Sequence, residues 1–174
     1  RWKYRVDQDI LPDWYVEEVD RERAVAAVKA WAKEHIHNGV DGLKISSGQD
    51  HYIKDCKDVE ICGSANIGCV RGNATVKSIY NSATVENICD NATVKYICDN
   101  ATVENICGNA TVKYIYDNAT VKNVKGYCTV IGSSYGWKNK DKMLLCDNAT
   151  FKDLQTKTIW QAGDWTLKTV EVMK

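Results

Sequence analysis

NATVKYICDNATVENICGNATVKYIYDNATV, Asn91 to Val121, says the same thing every nine residues. The pattern runs outward from there. SANIGCVRG begins at Ser64, NATVKSIYN at Asn73, SATVENICD at Ser82 and NATVKNVKG at Asn118. YCTVIGSSY starts at Tyr127 as a unit and then loses the pattern, and NATFKDL restores it at Asn148. A short fixed period is the mark of a solenoid, in which each unit buries its apolar side only against its neighbours. The units hold β-branched Thr, Val and Ile, with Asn, Asp or Gly at the junctions, so they predict short strands joined by corners rather than helix.

Within a unit, position two is Ala, four is Val or Ile and seven is Ile or Val. These are expected to point inward, with Lys or Glu at position five outward. Position eight takes Tyr, Cys or Lys and is expected to be exposed. Inward residues at four and seven break the period of two that an unbroken pleat demands. A corner or bulge near positions five and six resolves this, with a second corner at the Asp-Asn or Gly-Asn junction. Asn side chains stacked at that junction can hydrogen-bond along the axis.

Positions five and six read Lys-Ser, Glu-Asn, Lys-Tyr, Glu-Asn, Lys-Tyr, Lys-Asn, a period of 18. Two units per coil would stack Tyr96 on Tyr114 and put Lys77, Lys95 and Lys113 on one sheet, with Glu86 and Glu104 on the other. Three units per coil would set Lys77 against Glu104 and Glu86 against Lys113. The aromatic and Asn ranks favour two.

SATVENICDNATVKYICD, Ser82 to Asp99, resembles the short-period parallel β-solenoids of bacterial autotransporter passengers and of some phage and prophage proteins. The resemblance covers residues 56 to 132 and 146 to 154. It implies a fold more than an activity.

The fold expected is therefore mainly β: a parallel β-solenoid with an N-terminal α-helical cap and a C-terminal β-hairpin. The divisions expected are a capping module at 1–52, repeats at 53–155 with a loop insertion at 132–142, and a hairpin cap at 156–174. DRERAVAAVKAWAKEHIH carries an apolar stripe, Ala24, Val25, Val28, Trp31, Ala32 and Ile36, at helical spacing. Asp20 is the expected N-cap, and the helix stops before Asn38-Gly39 to form a lid on the first coil. TIWQAGDWTLKTVEV, Thr158 to Val172, reads as a hairpin turning at Ala162-Gly163-Asp164.

Composition limits the function. Hydrophobic residues make up 44% and charged residues 26%, enough for a packed core. Basic and acidic residues number 23 each, so a general nucleic-acid binder, which needs a basic surplus, is not favoured. No apolar run reaches the ~18 residues of a membrane span, and no membrane partner is expected. The opening RWKYRVDQD is not a signal peptide. Eight cysteines invite a disulfide reading, but several share one repeat position with Tyr, and six Asn-Ala-Thr triplets would carry disruptive sugars in a glycosylating pathway. A reducing bacterial or phage cytosol is expected, with secretion as the alternative.

The candidate partner-binding residues are the rank Lys77, Lys95, Tyr96, Lys113 and Tyr114, the segment Tyr135, Trp137, Lys138 and Lys140, and the N-terminal aromatics Trp2, Tyr4, Trp14 and Tyr15. The last group is either core of the cap or an interface patch, and Trp137 either engages a partner or packs back on the roll. No catalytic residue, metal site or cofactor is expected. His35, His37 and His51 lack ligand spacing. Glu86 and Glu104 have the separation of a retaining glycosidase pair but lie on a flat face. The Thr rank lacks the uncharged surround of an ice-binding array, because Lys or Glu follows two residues on.

The leading expectation is a non-enzymatic interaction protein. Its concrete form is a phage or mobile-element product that binds and inhibits a host protein or ribonucleoprotein, such as a CRISPR effector. The alternatives are a secreted or virion-surface adhesin and, third, a solenoid carbohydrate enzyme. Self-association through a cap or sheet edge fits any of them.

Overall fold

The computed structural model describes residue 13, residues 15–162 and residues 168–171. The chain divides into two compact units, Arg1–Ile36 and His37–Lys174. In the first, helix α1 spans Glu17–His35. It starts earlier than Asp20 because Glu17, Glu18 and Asp20 all favour the positive end of the helix dipole. Asp20 is not the N-cap. It lies inside the first turn, and its carboxylate accepts the Val16 N–H at 2.8 Å. The helix ends at His35, and none of its residues is buried.

The rest is a parallel β-solenoid of about six turns. Its strands in chain order are β1 (Ile36–Asn38), β2 (Lys44–Ile45), β3 (His51–Lys54), β4 (Val59–Ile61), β5 (Asn66–Arg71), β6 (Thr75–Ile79), β7 (Thr84–Ile88) and β8 (Thr93–Ile97). Then come β9 (Thr102–Ile106), β10 (Thr111–Asp117), β11 (Thr120–Val124), β12 (Thr129–Trp137), β13 (Leu144–Leu145), β14 (Thr150–Asp153), β15 (Thr158–Gln161) and β16 (Lys168–Glu171). Successive strands alternate between two sheets. Odd strands β1 to β13 build a seven-stranded sheet; even strands β2 to β14 build the other, which β15 and β16 extend to nine.

Each coil is two nine-residue units. Thr111 pairs with Thr93 and Tyr114 with Tyr96, 18 residues apart, and on the other sheet Thr102 pairs with Thr84 and Asn105 with Asn87. The paired positions are three, four, six and seven in these strands, and position five is stepped over. This is where the strand bends, so that Val94 and Ile97 both face inward with no exposed surface.

The second corner falls at position nine. Asn81, Asp90, Asp99 and Asp117 sit there with φ between 56° and 58°, and Gly72, Gly108 and Gly126 take the same left-handed conformation. Gly, Asn and Asp tolerate it better than other residues. The corner carboxylates also hydrogen-bond the coil before: Asp90 accepts the Gly72 N–H at 3.0 Å and Asp99 the Asn81 N–H at 2.9 Å. Beside the corner, Asn91 donates to Asn73 and Asn109 to Asn91, both at 3.4 Å, which is the expected axial ladder.

The core is a stack of Ala, Val and Ile columns, closed at the C-terminal end by Trp137 and Phe151. Segment 132–142, expected as a loop, is instead the end of β12 followed by a short 3-10 turn, Lys140–Lys142. Thr129 pairs with Thr150 and Asn123 with Leu144, 21 residues apart, so this coil carries three extra residues. A bulged register against β10 absorbs part of them. At the C-terminus, β15 runs antiparallel to both β14 and β16. The β15–β16 pair is the expected hairpin, and its expected turn residues Gly163 and Asp164 lie outside the described residues.

Candidate functional site

The two outer faces of the solenoid differ in how far they satisfy themselves. On the seven-stranded sheet, Asn87, Asn105 and Asn123 form a half-buried ladder at position six. Asn105 donates to the Asn87 side chain at 3.3 Å, and Asn123 donates to Asn105 at 3.2 Å. Each also reaches a backbone carbonyl of the preceding coil, Glu86 O and Glu104 O. Beside the ladder, Lys122 meets Glu104 at 2.7 Å. Glu86 and Glu104 thus stand on an open face, with Glu104 held in an ion pair.

On the nine-stranded sheet, Val76, Val94 and Val112 are in register, as are Ser78, Tyr96 and Tyr114. Lys77, Lys95 and Lys113 lie between these pairs, so they form one exposed rank at the ~4.8 Å strand spacing. Lys77 has a loose contact with Asp58 at 3.9 Å, and the Lys95 ammonium lies 4.9 Å from the centre of the Tyr96 ring. No carboxylate is present in β6 or β8. Tyr96 stacks on Tyr114 at 5.6 Å and meets the edge of Tyr116 at 6.3 Å. Alongside runs an in-register threonine column, Thr75, Thr93, Thr111, Thr129 and Thr150.

The expected candidates therefore separate. Lys77, Lys95, Tyr96, Lys113 and Tyr114 come together on one face. Trp137 does not belong there: it is 3% exposed, packs edge-on against Phe151 and donates its indole N–H to Ala119 O at 2.6 Å. A large apolar ring beside an open stack end gains more from covering the core than from solvent. Lys140 is tied to the buried carboxylate of Asp153 at 2.8 Å. Lys138 is exposed, with its backbone N–H bonded to Asp117 O. Tyr135 lies in β12, with its side chain outside the description. Tyr15 is half-buried just ahead of α1; Trp2, Tyr4 and Trp14 lie outside the described residues.

Position eight is less exposed than expected. Tyr80, Cys89, Cys98, Cys107 and Tyr116 are half-buried because the corner folds them against the next coil. Tyr116 thereby joins the aromatic face, a role that aligning position eight across coils would have revealed. The cysteines are all unpaired, and the thiols of Cys69 and Cys89 lie 3.4 Å apart. Burial, then the Cys69 hydrogen bond, pushes the Cys89 thiol up to about 12, and burial pushes Cys128 up to about 11. These thiols stay protonated at neutral pH and are poor nucleophiles and metal ligands there.

Among the described residues, no cluster of His, Cys, Asp and Glu could hold a metal ion. No helix among them is long and apolar enough to cross a membrane. Comparison with protein-family models, with curated proteins and with solved structures finds no match to this chain.

Proposed function

We propose that this chain is a non-enzymatic interaction protein that binds another macromolecule through the outer face of its nine-stranded sheet. The observation that carries this is the in-register rank of Lys77, Lys95 and Lys113 beside Tyr96 and Tyr114. Like charges at strand spacing repel, and apart from the loose 3.9 Å contact of Lys77 with Asp58 no carboxylate on β6 or β8 offsets them. An acidic partner surface relieves that repulsion, and the tyrosines add the amphipathic contact area typical of interface hot spots. A solenoid sheet is rigid, so little ordering cost attends docking.

The resemblance of the repeats to phage and prophage solenoids narrows the proposal. The partner is a host protein or ribonucleoprotein, such as a bacterial CRISPR effector, which the chain inhibits by occupying a surface. The test is capture from a bacterial host lysate with tagged wild-type chain and with a Lys77→Glu, Lys95→Glu, Lys113→Glu variant. The reading expects a stoichiometric partner held by the wild type and lost by the equally stable variant. Equal capture by both, or no stoichiometric partner together with unchanged phage restriction, would overturn it. Retention on a glycan array instead would favour the adhesin alternative.

A further inference from the structure

We infer that Cys69, Cys89 and Cys107 form a redox-sensitive staple, in which Cys89 closes a disulfide with a thiol of a neighbouring coil when the chain meets a small-molecule disulfide. The site is on the seven-stranded sheet and does not depend on the lysine–tyrosine face. Three thiols make one row there. Cys89 and Cys107 follow Ile88 and Ile106, which are ladder partners, so both stand at position eight one coil apart. Cys69 stands at position six of the coil before, as the ladder partner of Asn87. The Cys69 and Cys89 sulfurs are 3.4 Å apart, and the Cys107 thiol is near enough to bear on that of Cys89. Cys89 is therefore the centre of the row, with β5 on one side of its strand and β9 on the other.

No other cysteines are placed in this way. Along the same rank Lys125 separates Cys107 from Cys146, and Arg71 stands on the other side of Cys89. On the nine-stranded sheet position eight reads Cys62, Tyr80, Cys98 and Tyr116, so a tyrosine separates the two thiols. Cys56 and Cys128 are buried in the core. The backbone around the row is in regular register. The Cys89 N–H donates to Val70 O at 2.9 Å, the Cys107 N–H to Ile88 O at 2.8 Å and the Asn109 N–H to Asp90 O at 2.8 Å. Facing residues of parallel strands hold their Cα atoms near the ~4.8 Å strand spacing, inside the roughly 4.4–6.8 Å that a disulfide spans. Cys69 is two residues out of register with Cys89, and its side chain covers that offset to reach thiol contact.

The chemistry is thiol–disulfide exchange. One thiolate of the row attacks a sulfur of the small disulfide and releases one small thiolate, which leaves a mixed disulfide on the protein. The adjoining thiol gives its proton to solvent, attacks the protein sulfur of that mixed disulfide and releases the second small thiolate. Two protein thiols lose two electrons, and one small disulfide becomes two thiols. The finished bond joins β7 to β5 or to β9, and the third thiol can attack it, so the bond moves along the row but always contains Cys89. Burial pushes all three thiols up. Closure is therefore slow at neutral pH and faster in mild alkali. A reducing glutathione pool keeps the row open, and an oxidising one staples adjacent coils together.

The test incubates the folded full chain with excess glutathione disulfide at about pH 8.5, near the free thiol pKa. The product is then denatured, alkylated and mapped by peptide mass. The proposal expects a monomer that has lost two hydrogens, with two of its eight cysteines protected from alkylation. The linked peptides should carry Cys89 with Cys69 or Cys107. Closure should raise the melting temperature by at least about 3 °C, and dithiothreitol should reverse the rise. Cys89→Ser should stay open, whereas at least one of Cys69→Ser and Cys107→Ser should still close. The mapping of the unaltered chain stands whether or not a variant folds. A glutathione adduct with no internal bond, a bond to a cysteine outside the row, or disulfide-linked dimers would overturn the proposal. Closure in Cys89→Ser, failure of both other variants, or a melting temperature that closure leaves unchanged or lowers would overturn it too.

Discussion

Tyr96 and Tyr114 stand one coil apart and stack, with ring centroids 5.6 Å apart and planes 23° from parallel. The same register that joins them aligns Lys95 with Lys77 and Lys113. The face is thus cohesive in its aromatic column and strained in its cationic one.

Lys95→Glu is therefore expected to stabilise the isolated protein, because it places a carboxylate between two ammonium groups. The gain is about 0.2–1 kcal/mol at low salt. Urea unfolding at about 10 mM and 1 M salt checks it, since screening should erase most of the gain. A destabilisation that persists at high salt would contradict the register.

Asn105 carries more than its exposure suggests. It donates to Asn87 and to Glu86 O, and accepts from Asn123. Asn105→Ala leaves two half-buried amides short of a partner and should cost about 1–3 kcal/mol. Asn91→Ala, on the exposed ladder, should cost less than about 1 kcal/mol because water replaces the lost bond. Equal effects in denaturant melts would contradict this ranking.

Asp153 makes the C-terminal end acid-sensitive. Burial by itself would raise its pKa, but Lys140 and the bonds from Thr156 and Gln155 outweigh burial and lower it. A lowered carboxylate stabilises the fold above its unfolded value of about 3.9 and loses that contribution as pH falls through the folded value. Stability should fall below about pH 4, and Asp153→Asn should flatten that fall while lowering stability at pH 7 by about 1–3 kcal/mol. An unchanged acid limb would show that the pair does not hold the end together.

The half-buried thiols make an opposite prediction at alkaline pH. Cys89 and Tyr116 are each pushed up to about 12, in both cases first by burial. Groups with raised pKa values stabilise the fold below their unfolded values, and this is lost as pH rises toward the folded ones. Unfolding midpoints should decline from about pH 9 toward 12, and Cys89→Ser should reduce the decline. At pH 8, iodoacetamide should modify Cys89 at least about 100-fold more slowly than a free thiol of pKa about 8.5.

The repeat core was legible because every unit makes the same local choices. Ala, Val and Ile at fixed positions named the columns, and the Lys-Tyr and Glu-Asn alternation named the coil. The conflict between inward positions four and seven required the bend at five. Where the units degrade, the sequence hid the structure. His51 pairs with Ile67 and Val59 with Val76, at spacings of 16 and 17, so β3 and β4 belong to the stack without its signature. Trp137 stays open between partner contact and packing back on the roll, because a lone Trp among Lys, Gly and Ser has no periodic context; its place beside Phe151 decides for packing back. Lys140 looked free because Asp153, its partner, is 13 residues away and faces inward.

The central claim is that two units make one coil. Methyl-resolved nuclear Overhauser spectra of the Val residues test it most directly. The 18-residue coil predicts strong contacts from Val94 to Val76 and Val112, its ladder partners, and none to Val121. Contacts from Val94 to Val121, 27 residues on, with none to Val112, would contradict it and dissolve the lysine rank.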